Sequence, residues 1–532
     1  MATIGRQFKA SSRIAVHYLR HVSCAQLTWG VLLTELASHR ADRRRHATAL
    51  VFVACYGAAL LASPPVSADP WLAPGDLAVR HDLQLLADVG IVRGPVTTWP
   101  LSWPDIARDV LGARDTAPAD PGVAAALVRI QRRAQSAAAL GTEGIEYDVR
   151  LASEPIQLRN FADTPREDAE LGVRASWLGT RLAANVQLAV VADPADNKEF
   201  RYDGSYVGVN LGNFMISAGA MERWWGPGFE GSLILSNNAR PIPSITIERN
   251  YTDPFKSKWL SWIGPWRASI ALGRAEGSDV ALPNTRFFAA RVNFRPRSWL
   301  ELGLTRTAQW CGDGRPCSLR TFGDLLIGRD NRSDSLTINQ EPGNQMAGYD
   351  VRLRSPWRAL PLAVYGQFIG EDEAGGLPSK FLGLVGAEWW GSVSWGSYRL
   401  HAELADTACE FSRSSPQFDC AYRNGLYPQG YTYRGRVIGH SMDQDSRMYS
   451  LGATLVRADG DAVNVLVRRS DLNRDNGSNF VAAGPVEIQN VELQYSRALW
   501  TGKMSIGLGY DDASDAAASS DIRGFVSWRQ PL

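Results

Sequence analysis

From about Ile145 to the C-terminus, apolar and polar residues alternate with a period of two. Leu182, Ala184, Val186, Leu188 and Val190 share one face, with Asn185 and Gln187 on the other. Leu400, Ala402 and Leu404 oppose Arg399, His401 and Glu403 in the same way. The pattern returns in Tyr449, Leu451, Ala453 and Leu455. It returns again in Met504, Ile506, Leu508 and Tyr510, and in Ile522, Val526 and Trp528 against Arg523, Ser527 and Arg529. Successive side chains of an extended strand point to opposite faces, so each run presents one apolar and one polar surface. Segments of about ten such residues, separated by Gly/Asp/Asn/Pro turns, predict a mostly β chain forming a transmembrane antiparallel β-barrel. A soluble sandwich shares the alternation; the leader described below, the lack of a long apolar helix and the aromatics near strand ends favour the barrel. About 390 residues at roughly 20–25 per strand and loop give about 16–18 strands. Such barrels usually end on an aromatic residue, whereas this chain ends Gln530-Pro531-Leu532, with Leu532 on the face of Trp528 by parity.

Ahead of the alternation the period is helical. Leu77, Leu83, Leu85, Leu86, Val89 and Ile91 form a stripe, Ser102 before Trp103-Pro104-Asp105 reads as an N-cap with an early proline, and Pro121–Ala139 has no internal breaker. Residues 69–143 are therefore expected to form a small helical bundle, and residues 144–532 the barrel. Further upstream, Arg43-Arg44-Arg45, the apolar run Ala47–Ala62 and Ser63-Pro64-Pro65-Val66-Ser67-Ala68 have the order of a signal peptide cleaved before Asp69. Residues 1 to about 40 do not fit such a leader, which suggests a start codon placed too far upstream. Residues 1–68 are expected to be absent from the exported protein.

Losing that leader leaves 48 of 56 basic and 53 of 55 acidic residues, a net charge of about −5. A mildly acidic chain gives no reason to expect nucleic-acid binding. Cys24 and Cys55 leave with the leader. Cys311 with Cys317 and Cys409 with Cys420 remain as two close pairs around turn-rich residues, as expected for disulfides in an oxidising compartment. Metal binding by these cysteines is the rival reading, but no Cys-x-x-Cys pair or nearby histidine supports it. No cofactor is expected.

The segment Met221–Arg240 concentrates the candidate binding chemistry. Trp224 and Trp225 offer apolar faces on which pyranose rings stack, or else belong to an aromatic girdle or wedge a turn. Adjacent strand residues point oppositely, so at most one of the two should face a lumen unless a bulge intervenes. Asn237, Asn238 and Arg240 need polar partners, which can be sugar hydroxyls or other lumen groups. Glu222 and Arg223 read as partners of lumen charges, with Arg223 also a candidate sugar contact. Trp389 and Trp390 read as girdle residues.

Three stretches carry a family resemblance: Trp224–Gly228 (WWGPG), Ser236–Pro241 (SNNARP) and Tyr422–Gly452 (YRNGLYPQGYTYRGRVIGHSMDQDSRMYSLG). With Pro95–Trp103 (PVTTWPLSW), they resemble the Wzi-type capsule assembly family over most of the mature chain. The resemblance implies an outer-membrane barrel with a small periplasmic helical domain. It also implies a non-catalytic lectin that anchors capsular or extracellular polysaccharide. Expected partners are that polysaccharide, outer-membrane lipid and, through the helices, export machinery. The alternative is a diffusion porin, distinguished by whether bulky inward residues crowd the lumen.

Enzyme motifs are lacking: there is no His-Glu-x-x-His, phosphate-binding loop or Gly-x-Ser-x-Gly elbow. His401 on its strand and His440 beside Ser441 read as lumen histidines. Glu403, Asp406 and Glu410 could be posed as glycosidase carboxylates, but such sets arise freely in an acid-rich chain. Asp471-x-Asn473-x-Asp475 starts like a calcium loop, then lacks the sixth-position glycine and twelfth-position carboxylate, and reads as a solvated turn.

Overall fold

The computed structural model describes residues 69–113, 118–138, 140–275, 282–326, 343–357, 359–374, 377–514 and 521–531. The expectations for the leader and for Leu532 lie outside these residues. Among them, eighteen long strands close into one antiparallel barrel, at the top of the expected range. The ring closes where Asp521–Pro531 pairs with Gly141–Ala152, setting Trp528 opposite Val149. The first wall strand thus begins at Gly141, slightly ahead of residue 144. One strand is interrupted: Phe200–Arg201 and Tyr206–Leu211 both pair with Leu182–Ala192 and together fill one position in the wall.

The alternation resolves as its period requires. Leu182, Val186, Leu188, Leu400, Leu451, Leu508 and Ile522 face outward and are exposed, while Asn185, Arg399, His401, Glu403 and Arg523 are buried inside. The outer belt is the surface a bilayer covers. The two rims differ. On one, most strands are joined by brief turns such as Gly212–Asn213 and Trp500–Thr501, with 250–265 a longer exception; on the other, several connections are long, including 153–168, 220–243, 407–446 and 473–485. Exposed Trp177, Trp259, Trp262, Trp299, Trp357 and Trp500 gather near the brief-turn rim, where amphipathic indoles suit a membrane boundary.

Three helices close the brief-turn end: α1 (Leu77–Asp88), α2 (Trp103–Gly112) and α3 (Pro121–Ala137). Each starts on a side-chain cap, from Asp76, Ser102 and Asp120, as the Ser102-Trp103-Pro104-Asp105 sequence predicted for α2. The apolar stripe of α1 packs with Ala126, Leu127 and Ile130 of α3 in a core that continues into Trp224, Ala363 and Trp390. The polar face of α1 is buried as well, because it meets the polar inner wall. His81 Nε2 lies 2.8 Å from Ser397 Oγ, Gln84 donates to Glu388 at 3.1 Å, and Asp88 pairs with Arg352 at 2.7 Å and Arg399 at 3.1 Å. The helices and the lumen therefore share one interior.

Candidate functional site

The segment singled out in the sequence, 220–243, joins two neighbouring wall strands, Phe214–Gly219 and Ser244–Arg249, yet runs through the lumen between them. Trp224–Trp225 pair with Thr98–Trp99, so this two-residue strand is attached to the helical segment and not to the wall. That corrects the expectation that only one tryptophan faces inward. Both faces of a strand inside a lumen are interior, and both indoles are fully buried. Trp224 and Trp99 each meet Phe161 edge-on, at 5.3 and 5.2 Å between ring centres. Arg80 of α1 donates to the carbonyls of Pro227 (2.6 Å) and Gly228 (2.8 Å), with its guanidinium 4.1 Å from the Phe229 ring centre. Burial pulls this guanidinium's pKa down to about 10.

The other candidates are equally enclosed. Asn237 Nδ2 donates to Phe161 O at 3.2 Å, and Asn238 Nδ2 to Val437 O at 2.9 Å. Arg240 pairs with Asp196 at 2.6 Å and Asp203 at 2.8 Å. Arg223 donates to Met221 O and Thr246 Oγ1, the latter at 2.5 Å, while Glu222 pairs with Arg166 at 3.3 Å. The structure brings Arg223, Trp224, Trp225, Asn237, Asn238 and Arg240 together, as one buried block whose main partners are protein groups. Sequence separation cannot reveal this, since those partners come from residues 97–99, 161, 166, 196–203 and 437.

A second long connection, 407–446, descends onto the first. Tyr422 OH donates to Leu233 O at 2.7 Å and Tyr431 OH to Ile234 O at 2.8 Å; Ser236 N donates to Ile438 O at 3.0 Å. Gly231 is required where the two layers touch, because a Cβ there would lie 2.1 Å from His440 Nε2. His440 is fully buried, and burial pulls its pKa down to about 4. Both expected disulfides, Cys311–Cys317 and Cys409–Cys420, are formed. Above this layer the connection 473–485 is tied on by Gln444 Nε2 to Ser478 O at 2.6 Å and by Phe480 N to Asp443 Oδ2 at 2.8 Å. Phe480 of this connection stays exposed, as does Arg413 of 407–446, which pairs with Glu410 at 2.6 Å; neither lies in a motif that marks it in the sequence.

Other expectations are corrected or refined. Trp389 faces outward, but Trp390 is buried 4.7 Å above the Arg399 guanidinium, so it is not a girdle residue; neighbours on a strand cannot both face lipid. His401 stacks on Phe229 at 4.3 Å with Nε2 3.4 Å from Glu230, an internal arrangement. A polar cleft of about 130 Å³ lies along the wall, lined by Arg150, Asp163, Arg166, Arg201 and Glu222 among others.

The family model of the capsule assembly protein Wzi matches residues 152–519, well over half of the chain. The chain belongs to the Wzi capsule assembly family. It is similar to the solved Wzi from Escherichia coli, described as an outer-membrane protein involved in group 1 capsule assembly and a carbohydrate-binding β-barrel. The two share 28% identity and a TM-score of 0.76, over 87% of this chain and 99% of that one. A Klebsiella pneumoniae protein, described as an uncharacterized 55.8 kDa protein in the cps region, is 29% identical over 468 residues. The match covers 85% of this chain and 88% of that protein. The solved OccK2 (OpdF) of Pseudomonas aeruginosa, 10% identical over 74% of this chain and 99% of that one, aligns with a TM-score of only 0.40, too loose to carry an argument. The chain is accordingly an outer-membrane β-barrel and a capsule assembly protein, not an enzyme.

Proposed function

We propose that this protein retains capsular or other extracellular polysaccharide at the bacterial surface through the long-connection end of the barrel, without cleaving it. Barrels of this class carry brief turns on the periplasmic side and long loops outside. On that rule the helices face the periplasm, within reach of export machinery, and outer-membrane lipid covers the apolar belt. The observation that carries the reading is the locking of connections 220–243, 407–446 and 473–485 into one layered block by buried hydrogen bonds. A preorganised surface loses little entropy on binding, and a repeating polymer makes many weak contacts to it.

In this reading Arg223, Trp224, Trp225, Asn237, Asn238 and Arg240 serve as the buried frame that fixes the block. The exposed ring of Phe480 and the guanidinium of Arg413 are offered to the polymer. The first experiment is cell-bound against released polysaccharide in a strain lacking the gene, complemented with wild type or with Arg413→Ala/Phe480→Ala. Loss of the gene should move polymer from cells to medium at constant total. The double variant should restore retention only in part while assembling normally. An unchanged distribution in the deletion strain removes the retention reading; full rescue by the double variant moves the contact elsewhere on the block.

A further inference from the structure

Where connections 407–446 and 473–485 meet, two buried side-chain oxygens, one on each connection, have no hydrogen-bond partner. Asp445 and Asn473 are both fully buried there. The Asn473 amide has a fixed orientation, because its Nδ2 donates to the carbonyls of Gly477 at 3.1 Å and Ala482 at 2.9 Å. Its Oδ1 is left with no hydrogen-bond partner. Asp445 Oδ2 accepts the Asp419 N–H at 3.0 Å, and Oδ1 again has no partner. Both side chains border the same space beside Gly477. A Cβ on that glycine would lie 3.4 Å from Gln444 Nε2, 3.8 Å from Asp445 Oδ2 and 3.9 Å from Asn473 Oδ1. The two backbones are tied at this spacing by Arg474 N to Asp445 O at 3.0 Å and Asn473 N to Ser446 Oγ at 3.1 Å.

Gln444 and Arg474, the donors beside this space, each already have an acceptor elsewhere. Gln444 Nε2 donates to Ser478 O, and the Arg474 guanidinium is held by Asp406 at 2.5 Å and by Asp445 O at 3.1 Å. Buried acceptors are nearly always paired in folded proteins, so two unpaired ones in one place need a cause. The surroundings are also negative. Burial, with the charges of Asp419 and Asp475, pushes the Asp445 carboxyl up to about 6. Asp419 and Asp475 are themselves exposed, so they border the space from the solvent side.

We propose that Asp445 and Asn473 bind a calcium ion, with Asp445 carboxylate and Asn473 Oδ1 as side-chain ligands and carbonyls or water completing the shell. Mixed carboxylate and amide oxygens on irregular backbone suit the flexible, high-coordination shell of calcium better than the strict octahedron of magnesium. Among the described residues no group of three His, Cys, Asp or Glu side chains is placed to hold a metal. A site with so few charged ligands belongs in the weak extracellular range, with a dissociation constant of about 10⁻⁴–10⁻³ M. Of the Asp471-x-Asn473-x-Asp475 pattern only Asn473 is a ligand and Asp475 a neighbour. Asp471 instead lies 3.9 Å from Arg469. The ion would clamp the two outermost connections together, a role independent of whether polymer binds above them.

The test is isothermal titration of the full mature protein in detergent, stripped with chelator, with calcium chloride, and with magnesium chloride as control. One calcium per barrel is expected, with at least tenfold weaker magnesium binding. Asp445→Asn should weaken calcium binding at least tenfold while the barrel keeps its heat-modifiable gel mobility. Asp419→Asn/Asp475→Asn, whose side chains are exposed, should fold normally and bind severalfold more weakly. No calcium uptake by wild type up to about 10 mM, an order of magnitude above the expected range, overturns the proposal. So does undiminished uptake by folded Asp445→Asn, or by the double variant if Asp445→Asn does not fold. Polysaccharide retention is read separately, so either reading can fail alone.

Discussion

Asp88 closes α1 with a negative charge at the end of a helix whose dipole already makes that end negative. Its position depends on two guanidiniums of the inner wall, Arg352 and Arg399, which Glu388 also bridges at 2.5 Å on each side. Removing one member of a buried ionic cluster strands the others without compensation, which costs about 3–5 kcal/mol. Asp88→Ala should therefore loosen α1 by that order. The measurement is protease cleavage within residues 77–112 of the folded barrel; cleavage no faster than wild type would deny the cluster this role. His440 gives a prediction in pH. An unfolded histidine protonates near 6.5 and this one near 4, so between those values the unfolded chain takes up a proton that the folded one refuses. The contribution is complete above about pH 6.5 and shrinks as pH falls toward 4, by about 3 kcal/mol in all. Wild type should lose stability between pH 7 and 5 relative to His440→Gln; parallel denaturation curves would contradict this. At this scale the sequence conveys which residue types cluster but not what they touch. Arg240 advertises a need for partners, yet nothing local names Asp196 and Asp203 as the ones supplied.

Elements were more legible than contacts, because their signals are local. A period of two suffices to sort Leu188 outward and Asn185 inward, and Ser102 ahead of Trp103-Pro104-Asp105 suffices to start α2. What escaped was any element that leaves the wall. Trp224–Trp225 form a strand, as their β propensity allows, but its partner is Thr98–Trp99, more than a hundred residues away and inside the lumen. The connection 407–446 escaped for the same reason, although Cys409 and Cys420 marked it as a fixed structure. A cross-link closing a loop of this length contributes about 3 kcal/mol through the entropy of the open chain. Cys409→Ala/Cys420→Ala should keep the barrel but free Phe411–Asp419 for cleavage by protease and reduce cell-bound polysaccharide. Wild-type resistance in the double variant would show that Tyr422 and Tyr431 hold the connection unaided.

At the scale of the molecule, an eighteen-stranded barrel is wide enough for an aqueous channel, so what fills it decides what it does. Helix α1 enters from the brief-turn end with both its apolar and polar faces buried. From the other end, Phe229, Leu233, Ile234, Tyr422 and Tyr431 form a continuous core with Tyr365, Ile369, Leu384 and Ala405 of the wall. The two fillings meet where Arg80 binds the Pro227 and Gly228 carbonyls. Neither depends on the other for its whole support. The upper layer also holds to the wall through Gln367, which accepts from Leu233 N at 2.7 Å and donates to Trp225 O at 2.8 Å. Purified protein in a planar bilayer should accordingly show no steady conductance of the size an open barrel of this strand number gives. Asp88→Ala, which frees only the lower filling, should leave it closed. Shortening 220–243 to a tight turn should open it, since that single segment carries the contacts to both fillings. Steady large conductance of the wild type would return the diffusion porin to first place. A barrel that stays closed even without 220–243 would place the seal in 407–446 or in α1.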